Sequence, residues 1–306
     1  MAVNVVDVVG LSKVFGPVRA VDSVSFTAGR ELLALMGPNG SGKTTLVSMV
    51  AGVLRPSSGI VRILGFNMWG SGDEMVKARS LVGYAPQRPP LRFDVSAYDN
   101  LVWHCLVRGL SLIDARSRSR QLLELVGLSE HSGKTVWKLS GGMVRRLVIA
   151  SALVGEPEVL LLDEPGSGLD PGALDSLWSE ILRLSKGRTV IFTSHNPIEV
   201  ERFSDRVAIM FRGRLVSMGR PLELVERYTP NLVVYVTLAG EDVEVADIEG
   251  CSMLGRLGRL VVYEALEGDL CVQSILSLKG LVEKVEVRRP GLGEVFKKVT
   301  GVFMEV

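Results

Sequence analysis

The sequence predicts an α/β core carrying a helical insertion, followed by a small α+β unit, and three observations predict it. Up to about residue 225, short apolar runs alternate with longer amphipathic segments, the rhythm of a sheet with helices packed on it. Within that stretch, about 88–155 is helical in rhythm and reads as an insertion. After Tyr228-Thr229-Pro230 the character changes to short strand-like segments separated by Gly-rich turns. The expected division is therefore 1–225 for the core and 226–306 for the appendage.

Taken in order, strands are expected at Val3 to Val9 and Ser23 to Ala28, where β-branched and aromatic residues concentrate. Leu32 to Met36 is a short apolar run stopped by Gly37, the look of a parallel strand buried on both faces. Helices are expected over Ala97 to Leu106, Ile113 to Val126 and Gly141 to Val154, where apolar residues recur every three or four positions. Val159 to Leu162 and Thr189 to Thr193 repeat the buried-strand pattern. In the appendage, strands at Leu232 to Leu238, Leu260 to Tyr263 and Val282 to Val287 surround a helix at Leu270 to Leu278.

Composition narrows the function. Thirty-five Lys and Arg against 34 Asp and Glu leave a net charge of +1, without the basic excess expected of a nucleic-acid binder, so no nucleic-acid partner is expected. The mean hydropathy of +0.28 is high for a protein that does not enter a membrane. Yet the longest apolar run, Leu147 to Gly155, falls far short of the ~20 residues a span needs. The amino terminus lacks the pattern of a secretory signal, and a cytoplasmic location is expected. Cys105, Cys251 and Cys271 are far apart and unclustered, so three ordinary thiols are expected, with neither a disulfide nor a zinc site.

The segment Gly37, Pro38, Asn39, Gly40, Ser41, Gly42, Lys43, Thr44 fits G-x-x-x-x-G-K-[ST] between a strand and a helix, and Thr45 continues it. Glycines let successive backbone N–H groups curl around a polyphosphate, Lys43 reaches the β- and γ-phosphates, and the Thr44 hydroxyl suits Mg²⁺. Such a loop requires a metal-binding carboxylate at another strand end. Val159 to Leu162 delivers Asp163 there, and Glu164 follows, aimed differently by strand alternation and placed to act on a water. Ser140 suits a helix N-cap, with Gly141 and Gly142 opening the helix as an anion site; Asp170 before Pro171 suits another N-cap.

In their order, these segments together with Gln87 (YAPQ), Leu139-Ser-Gly-Gly-Met143, Ser167-Gly-Leu-Asp170 and Thr193-Ser-His195 resemble the nucleotide-binding subunit of an ABC transporter, over about residues 3–225. The resemblance implies a phosphate-loop NTPase fold and ATP hydrolysis with Mg²⁺, held by Thr44, Gln87 and Asp163. It casts Glu164 as general base, His195 and Gln87 as its companions, and Phe15 as the adenine platform. It implies a homodimer with ATP sandwiched, Ser140 and Gly142 facing the nucleotide held by the other copy, and Asp170 at the dimer contact. Met143 departs from the family's usual Gln. The ending Pro290-Gly-Leu-Gly-Glu-Val-Phe296 is similar to that of ABC-2, drug-export subunits. Separate transmembrane permease subunits, docking near Tyr84 to Trp103 on the cytoplasmic face of a membrane, follow from the resemblance. A soluble relative acting on ribosomes, DNA or cluster assembly is the alternative, disfavoured by the single cassette without a long coiled-coil insertion.

Overall fold

The computed structural model describes residues 4–241, 243, 248–278 and 280–304. β1 (Val6–Phe15) and β2 (Val18–Ala28) form an antiparallel hairpin closed at Gly16, whose φ of +54° suits glycine. The strand expected to stop at Val9 thus runs on to Phe15, while Val3 lies outside the described residues. β3 (Leu32–Met36) is buried at every position, as a strand covered on both faces must be. α1 (Lys43–Val50) follows, then β4 (Ser58–Ile63), β5 (Phe66–Asn67), α2 (Gly72–Ser80) and β6 (Val82–Ala85).

The insertion contributes α3 (Ala97–Val107), α4 (Leu112–Leu125) and α5 (Gly141–Ala152). Each starts at a serine whose hydroxyl accepts an orphan backbone N–H: Ser96 from Asp99, Ser111 from Asp114 and Ser140 from Met143. The long apolar run Leu147 to Gly155 is the buried end of α5, to Ala152, and the turn that follows it, and among the described residues no helix is long and apolar enough to cross a membrane. β7 (Val159–Leu162), α6 (Pro171–Ser185), β8 (Thr189–Ser194), α7 (Pro197–Phe203), β9 (Arg206–Phe211) and β10 (Arg214–Gly219) complete the core sequence. Trp178 of α6 is fully buried, edge-on to Phe192 of β8 with centroids 4.7 Å apart, which anchors that helix to the sheet.

Two sheets result. One is antiparallel, in the order β2-β1-β4-β5; the other runs β10-β9-β3-β8-β7-β6, and its pairings β9/β3, β3/β8, β8/β7 and β7/β6 are all parallel. Because parallel strands share direction, the carboxyl ends of β3, β8 and β7 emerge on one edge. Met36 pairs with Ser194, and Leu162 with Phe192. That edge is where open α/β sheets bind ligands.

After α8 (Pro221–Tyr228) come β11 (Val233–Leu238), β12 (Cys251–Leu257), β13 (Leu260–Ala265), α9 (Gly268–Ser277), β14 (Val282–Arg288) and α10 (Leu292–Thr300). The four strands form an antiparallel sheet in the order β12-β13-β11-β14. Val234, Val236, Val261 and Tyr263 of the sheet share one apolar core with Cys271 and Ile275 of α9. The two compact units of the chain divide upstream of the expected residue 226: one runs to His195 and adds Phe203–Leu215, the other takes Asn196–Arg202 and Val216 onward. The physical reason is local to the second unit, where the Glu201 carboxylate on α7 accepts the Leu292 N–H that opens α10, and α8 packs on α10.

One expectation is overturned here. Cys251 and Cys271 are joined in a disulfide, with Cα atoms 5.0 Å apart, and buried Cys105 is the free thiol among the described residues. Twenty residues of sequence separate the partners, but the β12/β13 hairpin returns the chain so that α9 sets Cys271 beside the first residue of β12. For a loop of this length the cross-link stabilises by about 3 kcal/mol on the chain-entropy model. Reduction with dithiothreitol, or Cys251→Ser, is therefore expected to lower the melting temperature by several degrees, read by differential scanning calorimetry beside a free-thiol count. An unchanged melting temperature would show that the bond adds nothing to stability.

Candidate functional site

Gly37 ends β3, and the chain then curls into α1. A Cβ at Gly37 would lie 2.3 Å from the Met210 carbonyl oxygen, and one at Gly42 would lie 2.4 Å from that of Ala20. Gly42 also has φ +102°, a conformation that side chains resist, and it serves as the N-cap of α1. These two positions need glycine for space and backbone freedom, which lets the N–H groups face a common hollow at the positive end of α1. Ser41 is buried there, its Oγ without a hydrogen-bond partner. A buried hydroxyl left unpaired at the N-terminus of α1 has a donor to offer an anion.

Lys43 is 5% exposed and donates from Nζ to the carbonyls of Gly37 (2.6 Å) and Pro38 (3.1 Å). Burial holds its ammonium below the usual lysine range, and the Glu164 carboxylate, 3.6 Å away, pushes back. Lys43 therefore stands as a largely dehydrated cation pinned at the floor of the hollow, where a phosphate gains most from it.

The Asp163 N–H still bonds the Ala85 carbonyl, so β7 delivers the carboxylate at its end as the sequence predicts. Oδ1 accepts from Thr44 Oγ1 (3.1 Å) and Thr193 Oγ1 (2.7 Å), whereas Oδ2 is buried without a partner. An orphaned carboxylate oxygen beside a threonine hydroxyl is a donor set of the hard, oxygen-only kind that suits Mg²⁺. Gln87, exposed after β6, lines the same cleft and can complete it from the other side.

Glu164 is turned by a different device from the one expected. Strand alternation does not aim it; its backbone adopts φ +51°, a left-handed conformation uncommon for a residue with a side chain. The carboxylate is only 7% exposed, and Oε2 accepts a 2.7 Å hydrogen bond from His195 Nδ1 at the end of β8. Lys43, Asp163, Glu164 and His195 thus converge from three neighbouring strand ends.

The cleft holds about 370 Å³ and is lined by Phe15, Ala20, Asn39 through Thr45, Gln87 and Glu164. Phe15 is half exposed at its mouth, with Lys13 Nζ over its ring at 5.1 Å. Ser140, Gly141, Gly142 and Asp170 do not line it. Ser140 and Asp170 are both N-caps, Asp170 accepting from the Ala173 N–H at 3.0 Å, and Gly142 packs against Leu169 and Ala173 instead. One chain thus builds a cleft at the start of α1 and carries a second exposed helix N-terminus elsewhere. Two contributors escaped the sequence reading. Thr193 was visible in the Thr-Ser-His motif but carries its own contact, and Arg145 gave only a basic pair, Arg145-Arg146, inside a helix.

The model of the ABC transporter family matches residues 21–167. Over nearly its whole length the chain is similar to the linearmycin resistance ATP-binding protein LnrL of Bacillus subtilis (strain 168), at 30% identity over 95% of this chain and 96% of that protein. It is likewise similar to the Nod factor export ATP-binding protein I of Burkholderia lata, at 37% identity over 100% of both. Among solved structures, CbiO1 of Clostridium perfringens, part of the ABC transporter complex CbiONQ, superposes with a TM-score of 0.65 at 29% identity, covering 74% of this chain and 96% of that one. The ATP-binding cassette MJ0796, solved as a dimer in a post-hydrolysis state with ADP and Pi, matches with a TM-score of 0.63 at 25% identity, over 70% and 98%. A phosphate loop, a buried acid pair and a strand-end histidine on this sheet, together with relatives of the same length, place the chain: it belongs to the ABC transporter family, as one of its ATP-hydrolysing subunits.

Proposed function

We propose that two copies of this chain close around two MgATP and drive an exporter through separate transmembrane subunits. The observation that carries the reading is the split of the site, with Lys43, Thr44 and Glu164 lining one cleft, Asp163 and His195 hydrogen-bonded to Thr44 and Glu164 at its edge, and the capped N-terminus at Ser140 outside it. Pairing by a twofold axis completes each cleft with Ser140, Gly141 and Gly142 of the other copy, whose N–H groups and helix dipole meet the γ-phosphate. Asp170 lies at the contact, and Phe15 offers its ring to adenine. The core, about 1–225, binds nucleotide, and 226–306 is accessory.

Within the cleft, Lys43 and the loop N–H groups hold the phosphates and offset the charge that develops during hydrolysis. Glu164 takes the proton of the attacking water, and His195 steadies the carboxylate through Nδ1. Asp163, Thr44 and Gln87 would hold Mg²⁺, which would supply positive charge to offset that of the phosphates. Export is supported by the Nod factor export relative, which matches through the carboxyl-terminal unit as well. For the membrane partner, an apolar groove lined by Val53, Val76, Tyr84, Pro90 and Val107, with Trp103 55% exposed on α3, supplies a docking face on the cytoplasmic side.

Mixing tests the split. Lys43→Ala and Ser140→Glu chains each fail to form an ATP-dependent dimer alone, while an equimolar mixture forms a heterodimer trapping about one ATP per pair, since a twofold pair then has one intact site. Light scattering with labelled ATP reads the outcome. A Ser140→Glu chain that dimerises normally, or a mixture that traps nothing, removes the shared site. Co-purification with ribosomes or DNA instead of a membrane protein removes transport.

A further inference from the structure

Arg145 sits on the second turn of α5, five residues past the Ser140 cap, and its guanidinium points away from solvent into backbone. Nη1 donates to the carbonyls of Pro86 (3.2 Å) and Gln87 (3.3 Å), and Nη2 donates to the carbonyl of Glu164 (2.7 Å). One planar fork therefore joins three separate segments: the helix behind the exposed Ser140 cap, the loop bearing Gln87, and the end of β7. Burial lowers the basicity of the guanidinium while Asp163 and Glu164 push it back up, so the group is held in a partly dehydrated, negatively charged surround.

The contact with Glu164 falls on a strained residue. At φ +51° its backbone persists only if neighbours over-determine it. Its N–H is held by Thr193 Oγ1 at 2.8 Å and its carbonyl by Arg145, so both sides of the residue are clamped. The carboxylate is in turn pinned between His195 and Lys43.

We propose that Arg145 is a positioning residue for hydrolysis, holding the Glu164 carboxylate in its left-handed turn and linking that turn to the Gln87 loop and to α5. A displacement of the Gln87 loop then reaches Glu164 and Ser140 through one side chain. The inference rests on Glu164 being the general base. Lysine would keep the charge but its single nitrogen cannot span the three carbonyls, so charge and fork are separable.

The test measures kcat and KM for full-length Arg145→Lys and Arg145→Met, with and without Glu164→Gln, and checks folding by thermal melting. Both variants are expected to lower kcat at least about tenfold with KM for ATP within about threefold, the signature of misplacement rather than lost binding. In the Glu164→Gln background, Arg145→Lys is expected to lower the residual rate no further. Should the methionine variant fail to fold, the lysine variant alone decides. Wild-type kcat in Arg145→Lys, a KM that rises as much as kcat falls, or an equal loss in the Glu164→Gln background overturns the proposal. Wild-type turnover by Glu164→Gln itself would instead remove the base assignment, a distinct result.

Discussion

Glu164→Gln is expected to slow ATP turnover by about 10²- to 10⁴-fold, the range a general base contributes, while leaving nucleotide binding in place. The substitution keeps the shape of a side chain that is 7% exposed and packed between two partners. Its amide oxygen can still accept from His195 Nδ1, which now donates 2.7 Å to a carboxylate oxygen. Lys43 loses the neighbouring charge at 3.6 Å but keeps its two carbonyl partners, Gly37 and Pro38, so the phosphate-facing ammonium stays in place. What vanishes is the only function an amide cannot supply, accepting a proton from water. Phosphate release beside a filter-binding assay with labelled ATP measures both quantities. Turnover within threefold of wild type would take the base role from Glu164; loss of binding in step with turnover would make its role structural.

Gly42→Ala is expected to destabilise the protein by about 3 kcal/mol or more and to abolish nucleotide binding, whereas Gly40→Ala costs about 1 kcal/mol. Both glycines have positive φ, +102° and +78°. They differ in surroundings: a Cβ at Gly42 would lie 2.4 Å from the Ala20 carbonyl oxygen, a backbone atom tied into β2, whereas nothing lies within 4 Å of one at Gly40. Relief at Gly42 must move either the hairpin or the start of α1, and moving α1 displaces Lys43 from Gly37 and Pro38. Urea denaturation and ATP titration of the two variants read the contrast. Equal midpoints would mean that the contact with β2 yields freely.

Much of this site is legible in the linear sequence because its parts are local. A run from Gly37 to Thr44 is a phosphate loop wherever it folds, since the chemistry lies in backbone N–H groups and one lysine. Ser140 and Asp170 cap their helices as expected because capping involves only the next three residues. Buried parallel strands also declare themselves: β3 and β7 are apolar throughout, β8 is apolar from Val190 to Phe192, and all three are buried throughout. They contribute to the high mean hydropathy, and among the described residues no helix is long and apolar enough to cross a membrane. Less legible are α2, whose nine residues are mostly polar, and β4 and β5, whose exposure leaves no clear period to read.

The orientation of Glu164 was not legible at all. Alternation along a strand is a local rule, but the strand ends at Leu162, and the left-handed turn that follows is held by Thr193 and Arg145 from distant segments. The same holds for Cys251 and Cys271, unrelated in spacing yet adjacent once β12, β13 and α9 are assembled.

The amino-acid sequence by itself therefore determined the groups from which the proposed nucleotide site is built: a glycine-rich loop, a carboxylate pair, a histidine and two helix starts. Their types and local backbone needs are written in short stretches of chain. Only the tertiary structure decided which of them meet. Parallel pairing of β3, β8 and β7 carries Lys43, His195 and the acid pair to one sheet edge and leaves Ser140 outside the cleft, because strand order and direction depend on long-range pairing that no local stretch encodes.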